Sequence, residues 1–404
     1  MKTHKIAFLL LIFLFPMNLM IITSAEGISN YEVSQSVTYQ VELDYTFTHT
    51  QISPKTYYFK VARLNDRQPN SMVTQYCPPY QESNLLYNSI TGTDSLIMGS
   101  LDKFNNTYDL FNATLSSVTS DTITLSQKYK VKLSEVTFGT ILDSDIGSYN
   151  TSDEMFDLYC NNTEDFYERD DPDLIAASNS IVDPSDNPLE KAQKISNWVS
   201  NYLTYSESLP ALEKGASWAY DNQLGDCSEY STLMITLLRI QGIPARKVSG
   251  YVISADSNFQ PAVGQVFHFQ ASSSGTSSIL GHAWVEYYIP EIGWIACEPQ
   301  NPNYYKKSNY LRLNLNIGAW FFLPGASPGY DYISEFPPIP SPVASDHDAY
   351  TFNYDVKITV LETSFNSLDL LIIIIISSIL GVVIIGIALL IRSSRKKRKE
   401  YLTH

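Results

Sequence analysis

Hydrophobic and polar residues alternate along much of the first third of the chain. Two runs show the pattern clearly, SVTYQVEL at residues 36–43 and TYYFKV at residues 56–61. A period of two places every second side chain on one face, which is typical of half-buried strands. We therefore predict a β-sandwich-like module over residues 26–165, and we find no catalytic grouping of residues within it.

The pattern changes to a helical period after Asp170. Asp171-Pro172 and Asn187-Pro188 each place a capping side chain before a proline, an arrangement that favours a helix start. The second of these helices carries an apolar stripe at the 3.6-residue period, formed by Ala192, Ile195, Val199, Tyr202 and Leu203, with Trp198 beside it. A helix of this kind packs on a core, so we assign it a scaffold role.

A third helix is predicted from the stretch GDCSEYSTLMITLLRIQGIPAR, residues 225–246. Cys227 lies in its first turn, and Gly242 followed by Pro244 marks its end. The apolar residues recur at helical spacing: Tyr230, Leu233, Met234, Leu237 and Leu238.

Strand patterns return after this helix. We predict strands at 247–254 and 282–289, the latter continuing through a turn at 290–293 into a return strand from Trp294. Residues 255–280 are rich in Ser, Gly and Gln and predict an exposed loop. We therefore expect an α+β domain over residues 170–305. Residues 306–365 follow as a connector containing FPPIPSP and a final strand at 350–361.

Both ends of the chain carry apolar segments. Residues 1–25 contain two lysines, an apolar run and a small-residue ending, which is typical of a cleaved signal peptide, with an uncleaved anchor as the alternative. Residues 370–391 are uncharged and, at ~1.5 Å per residue, long enough to cross a membrane. The basic tail at 392–404 predicts a cytoplasmic carboxyl end and an extracellular amino end on a single-pass chain.

The charge balance restricts the class of partner. The chain of 404 residues has a formal net charge of −15, with 44% hydrophobic and 17% charged residues. Since the leader holds two basic residues and the tail six basic and one acidic, residues 26–369 carry −22. We therefore expect no nucleic-acid partner, and membrane attachment through one C-terminal helix only. Glycosylation sequons at Asn105, Asn112, Asn150 and Asn161 predict an exposed surface.

The four cysteines have different settings. Cys77 and Cys160 both fall in the strand-rich region, where an oxidising compartment favours a disulfide between them. Cys227 lies where the amino end of a helix stabilises a thiolate, which suits a nucleophile. Its position alone also fits a buried inert residue.

A nucleophilic thiol needs a base, and His282 is the strongest candidate among the few histidines. Alternation puts His282 on one face of the predicted hairpin, and on the return strand Glu298 lies opposite in face to Cys297. His282 and Glu298 then fall at the same end of the hairpin, where a carboxylate can hold the imidazole in the required tautomer. We assign His268 instead to the aromatic face of a strand.

These residues carry a resemblance to a known family. GDCSEYSTLMITLLRIQGIPARKVSGY followed by GHAWVEYYIPEIGWIACEPQ resembles the core of the transglutaminase-like cysteine-enzyme superfamily, which is papain-related in fold, over about residues 170–302. The resemblance implies Cys227 as nucleophile and His282 as general base and acid. Glu298 then takes the position of the family's orienting aspartate, and a membrane-anchored microbial or archaeal-type member is indicated.

Glu298 departs from the family pattern, which has an aspartate at this position. The extra methylene of the glutamate could displace the imidazole. A disulfide between Cys227 and Cys297 is a further alternative that the face argument opposes. We expect Glu229 and Arg246 to pair structurally. For the oxyanion hole we expect the backbone N–H of Cys227 and, more weakly, Gln223. Two tryptophans, Trp218 and Trp284, are assigned to site walls or core.

Two functions follow from the sequence. The first is a membrane-anchored extracellular cysteine hydrolase or acyltransferase that acts on a protein or peptide carboxamide through a thioester on Cys227. The second is a non-catalytic surface protein that keeps the same fold. We expect no cofactor and no metal, since neither a zinc-ligand spacing nor an EF-hand loop is present.

Overall fold

The computed structural model describes residues 30–364, with gaps at 70, 72–75, 119–120, 162–165, 210–213, 276, 319–320, 323–331, 334–339, 341 and 343–349. Within these residues, no helix combines the length and the apolar character needed to cross a membrane. The predicted leader, the segment 370–391 and the basic tail all lie outside the described residues.

The helices are α1 (Pro172–Ile181), α2 (Pro188–Tyr202), α3 (Ala216–Asn222) and α4 (Cys227–Ile240), with short helical turns at Asp143–Asp145, Glu154–Phe156, Asp157–Asn161 and Pro302–Tyr304. The strands are β1 (Tyr31–His49), β2 (Lys55–Ala62), β3 (Gln81–Thr91), β4 (Ser95–Leu101), β5 (Thr107–Leu115), β6 (Thr122–Phe138), β7 (Thr204–Tyr205), β8 (Leu224–Gly225), β9 (Ala245–Val252), β10 (Val266–Ser272), β11 (Gly281–Ile289), β12 (Gly293–Cys297), β13 (Lys307–Ser308), β14 (Arg312–Ile317), β15 (Phe321–Phe322), β16 (Tyr332–Ile333) and β17 (Tyr350–Ser364).

Two sheets form the strand-rich part of the described chain. One has the order β10-β17-β1-β6-β13, with β3 also paired to β6, and the other has the order β2-β5-β4. Their inner faces share one apolar core, in which Phe59 of the smaller sheet stacks on Phe111 and meets Tyr45 and Phe47 of the larger sheet edge to face. Cross-sheet aromatic packing of this kind holds a sandwich together.

The larger sheet also takes strands from far along the chain. Strand β17, predicted from its alternating pattern, pairs antiparallel with β1 along nearly its whole length, and β10 pairs with β17. The prediction of an exposed loop over residues 255–280 is therefore wrong for 266–272. Alternate residues of β10 are exposed, so its polar composition is that of an edge strand with a solvated face.

The helical part begins as its capping residues predict. The Asp171 side chain accepts hydrogen bonds from the first turn of α1, and Asn187 and Glu190 form a capping box at the start of α2. Helix α4 packs with α2 against the antiparallel sheet β12-β11-β9-β14 in a second core. The described structure is thus a mixed α and β fold with a strand-rich amino-terminal region.

Two predicted pairings are wrong. All four cysteines are free thiols, so Cys77 and Cys160 form no disulfide. Arg246 does not pair with Glu229. It shares the fully buried carboxylate of Glu286 with Arg67, which joins the strand-rich region to the helical part. The Cys77 thiol lies beside both guanidinium groups, and burial raises its pKa.

Candidate active site

Cys227 is the first residue of α4, and a capping box fixes it there. The Asp226 carboxylate accepts from the backbone N–H of Ser228 at 2.7 Å, and Glu229 accepts from that of Asp226 at 3.0 Å. Gly225 leaves room for this arrangement, because a Cβ there would lie 2.6 Å from Cβ of Glu229. The thiol is therefore held, partly exposed, at the positive end of the helix.

The residue before the cysteine titrates close to neutrality. Burial, together with the negative charge of Glu229, raises the pKa of the Asp226 carboxyl to about 6, although its hydrogen bond from Ser228 works in the opposite direction. The cap beside Cys227 thus carries its full negative charge only above that pH.

His282 lies at the start of β11 and faces Cys227. In the adjacent strand β9 its partner is Gly250, where a Cβ would lie only 1.9 Å from the carbonyl oxygen of Leu313. Only glycine permits this close approach of β14, so Gly250 helps to place the histidine. The imidazole borders the same small cavity as Cys227, and its Nε2 hydrogen-bonds with Glu298.

Glu298 follows β12 and lies buried at the open end of the hairpin. Its Oε2 is 2.6 Å from Nε2 of His282 and 3.1 Å from Nη2 of Arg312. Burial raises the pKa of this carboxyl, but His282 and Arg312 outweigh it and hold the pKa below its usual range. The glutamate is therefore an anion at neutral pH.

The anion favours the protonated imidazole in turn. Burial lowers the pKa of His282, but Glu298 and Cys227 together raise it to about 10. Because Nε2 bonds Glu298, Nδ1 is the ring nitrogen left for the thiol. The three residues singled out in the sequence are thus brought together, with His282 next to Cys227 and hydrogen-bonded to Glu298.

Two cavities open beside the imidazole. A cavity of about 180 Å³ is lined by Cys227, His282, Gly250 and neighbouring backbone. A second cavity of about 290 Å³ lies against His282, Glu298 and Arg312. The imidazole therefore borders both cavities, and the thiol borders the smaller one.

Tyr205 was not predicted from the sequence. Strand β7 pairs parallel with β8, so Tyr205 lies beside Gly225, two residues before the cysteine. Burial raises the pKa of its hydroxyl, and the negative charges of Cys227 and Asp226 raise it further. The hydroxyl therefore lies within electrostatic reach of the thiol. The sequence gives no signal for this, because Tyr205 belongs to a strand of only two residues.

The other candidates lie elsewhere or have packing roles. His268 is on the exposed face of β10 and pairs with Asp355, and Gln223 is the exposed residue that ends α3. Cys297 is buried beside Ser196, away from Cys227, as the face argument predicted. The indole of Trp284 stacks near the imidazole of His282 and forms a site wall.

Trp218 packs against the helical core. Among the described residues, no group of three or more His, Cys, Asp or Glu is arranged to hold a metal ion.

Part of the chain matches a known protein family. The model of the transglutaminase-like superfamily matches residues 175–299. The chain is 28% identical over 125 residues to the uncharacterized protein YebA of Bacillus subtilis and 36% identical over 103 residues to the protein-glutamine gamma-glutamyltransferase of Pseudomonas aeruginosa. These matches cover 30% and 24% of this chain, and they span 16% and 14% of the two relatives.

One solved structure resembles a larger part of the chain. It is the crystal structure of a "Putative Cysteine Protease from Cytophaga hutchinsonii", with a TM-score of 0.50 and 16% sequence identity. The match covers 83% of this chain and 94% of that chain. At this level of identity the likeness concerns the fold alone, including the strand-rich region.

Proposed function

Residues 175–299 form a transglutaminase-like superfamily domain, and we propose that it is a cysteine enzyme that transfers the acyl group of a peptide or protein carboxamide to Cys227. The observation that carries the proposal is the line from Cys227 through His282 to Glu298, closed by the 2.6 Å contact between His282 Nε2 and Glu298 Oε2.

The proposed chemistry begins when His282 takes the proton of the Cys227 thiol. The Cys227 thiolate attacks the carbonyl carbon, and the carbonyl oxygen becomes an oxyanion. As the C–N bond breaks, the His282 imidazolium gives its proton to the leaving amine and a thioester remains. Water or an amine then attacks the thioester, and His282 takes the proton of the attacking molecule. The C–S bond breaks, which releases the Cys227 thiolate and gives the acid from water or a new amide from the amine.

Two groups are placed to stabilise the oxyanion. The backbone N–H of Cys227 lies at the amino end of α4, where such groups have no partner within the helix. The hydroxyl of Tyr205 lies on the neighbouring strand within electrostatic reach of the thiol. We assign both as donors to the developing negative charge.

Hydrolysis is favoured over transfer to an amine. Both cavities beside His282 are open to solvent, so water is always present to attack the thioester. The similarity to a protein-glutamine gamma-glutamyltransferase supports a glutamine carboxamide as the first substrate to test.

The cellular setting is part of the proposal. The leader-like residues 1–25, the apolar segment 370–391 and the basic tail support a single-pass protein with this domain outside the cell. The strongly negative charge of residues 26–369 disfavours nucleic acid as a partner.

The experiment uses the full-length protein in detergent with glutamine-containing peptides. Ammonia release measures formation of the thioester on Cys227, whichever acceptor follows, and added hydroxylamine converts the thioester into a hydroxamate. Both signals should disappear in Cys227→Ala and persist in the control Cys160→Ala, which removes a buried thiol away from the site. If no peptide of a broad library releases ammonia or forms a hydroxamate, the non-catalytic alternative replaces this proposal.

A further inference from the structure

Arg312 reaches the site from the far edge of its sheet. It begins β14, and the strand order β12-β11-β9-β14 puts two strands between it and the hairpin edge that leads to Glu298. Nevertheless its Nη2 lies 3.1 Å from Glu298 Oε2, and its side chain is only 10% exposed.

Two donors meet at one oxygen of the glutamate. His282 Nε2 and Arg312 Nη2 both bind Oε2, at 2.6 Å and 3.1 Å. The guanidinium therefore restrains the same atom that orients the imidazole. A charge-assisted hydrogen bond of this type is directional as well as strong.

Tyr304 supports both members of the ion pair. Its backbone carbonyl accepts from the Glu298 N–H at 3.2 Å, and its ring lies under the Arg312 guanidinium, with Cζ 5.1 Å from the ring centroid. Its hydroxyl donates to the carbonyl of Ser257 at 3.3 Å. The backbone and the side chain of Glu298 are thus tied to one platform.

A glutamate at this position needs such a restraint. It has one more rotatable bond than an aspartate, and the cavity of about 290 Å³ beside it gives the carboxylate room to turn away from the imidazole. Arg312 and Tyr304 line that cavity. We propose, on the basis of the function proposed above, that Arg312 is a positioning residue that holds Glu298 Oε2 on His282 and so lets a glutamate serve as the orienting carboxylate.

The charge of Arg312 and its position act on His282 in opposite directions. Its positive charge alone disfavours the imidazolium, whereas the carboxylate that it holds in place favours it. The other titratable groups near the pair are Cys227 from α4, Tyr205 from β7 and Cys297 at the end of β12. If Arg312 acts by positioning Glu298, its removal lowers the pKa of His282. If Arg312 acts only through its positive charge, its removal raises the pKa of His282.

The test alkylates Cys227 in the full-length protein, where the other three thiols are buried. Iodoacetate is an anion, so a protonated His282 speeds its reaction with Cys227 relative to that of neutral iodoacetamide. The ratio of the two alkylation rates therefore falls at the pH where His282 loses its proton. In the native protein the ratio of the iodoacetate rate to the iodoacetamide rate should fall near pH 10. In Arg312→Gln it should fall closer to the ordinary value of about 6.5, with a rate at pH 7 roughly 10-fold lower.

Three further variants separate position from other effects. Arg312→Lys should retain part of the native behaviour. Lys307→Gln is the matched control, because Lys307 lies over the same tyrosine ring but pairs with Glu135, and it should behave as the native protein. In a Glu298→Gln background, Arg312→Gln should change the rate by less than about 2-fold, since the residue acts through the glutamate.

The outcomes distinguish this inference from the proposed function. A ratio that falls at higher pH in Arg312→Gln, or at an unchanged pH with a lower melting temperature, overturns the positioning role. An equal effect of Arg312→Gln with and without Glu298 overturns it as well. If the native Cys227 itself reacts like a free thiol, the proposed function fails instead.

Discussion

Glu298 Oε2 lies 2.6 Å from Nε2 of His282, although its side chain is one methylene longer than the aspartate that the family pattern places there. The backbone after β12 accommodates the extra length, since the Glu298 N–H is fixed by the carbonyl of Tyr304 in the following turn. The departure from the family pattern is therefore a matched local change, in which the longer arm meets the imidazole at normal hydrogen-bond distance.

Shortening this arm should impair the site. Glu298→Asp withdraws the carboxylate by about 1.5 Å. Misplacement of that size costs roughly 10- to 100-fold in rate, because the imidazole loses its orienting partner. Glu298→Gln keeps the length and loses the charge, so it serves as the paired variant. Ammonia release and Cys227 alkylation measure both, and an aspartate variant as fast as the native protein would contradict the match of backbone to glutamate.

The pH dependence of stability should report the same contact. The pKa of His282 rises from about 6.5 to about 10 on folding, so its contribution is fully present below about pH 6.5 and is lost as the pH rises through 10. The melting temperature of the native protein should exceed that of Glu298→Gln most near pH 6.5, and the difference should shrink by pH 10. A difference that stays constant from pH 6.5 to 10 would argue against the ion pair.

Tyr205→Phe should separate transition-state stabilisation from thiol activation. Removing one oxyanion donor costs roughly 100-fold in turnover, whereas alkylation needs no oxyanion and should keep its native rate. Tyr220→Phe is the control, because Tyr220 is a partly buried tyrosine stacked on Tyr202. Equal losses of turnover and alkylation in Tyr205→Phe would assign the residue to packing.

Stability should depend on the buried carboxylate that joins the two parts of the fold. Glu286→Gln leaves the guanidinium groups of Arg67 and Arg246 without their shared anion, which costs about 3–5 kcal/mol. Asp186→Asn breaks an ion pair to an exposed lysine and should change the unfolding midpoint far less. Chemical denaturation followed by fluorescence measures the unfolding midpoints of both variants. Similar midpoints would show that the buried Glu286 cluster contributes no more to stability than the surface ion pair.

The sequence predicts those parts of the fold that local chemistry determines. The helix starts at Asp171-Pro172 and Asn187-Pro188 are confirmed, because a cap and a proline act on adjacent backbone groups. The hairpin faces are confirmed as well: Glu286 pairs with Ala296 and Val285 with Cys297, so alternation alone separates Cys297 from the face of His282.

Contacts between distant segments could not be predicted in the same way. Strand β10 forms only because it pairs with β17, almost ninety positions later in the chain. The composition of β10 itself is that of a loop. Arg246 meets Glu286 and Arg67 only after the two parts of the fold dock. Arg312 and Tyr205 carry no motif, and sheet order alone brings them to the site.

We propose that Cys227 is a nucleophile activated by His282, and the alkylation rate of Cys227 tests this most directly. At pH 6, iodoacetamide should modify Cys227 roughly 100-fold faster than a model thiol, which is less than ~1% ionised there. His282→Ala should remove the advantage. A native Cys227 that reacts no faster than the model thiol at pH 6 would contradict the account.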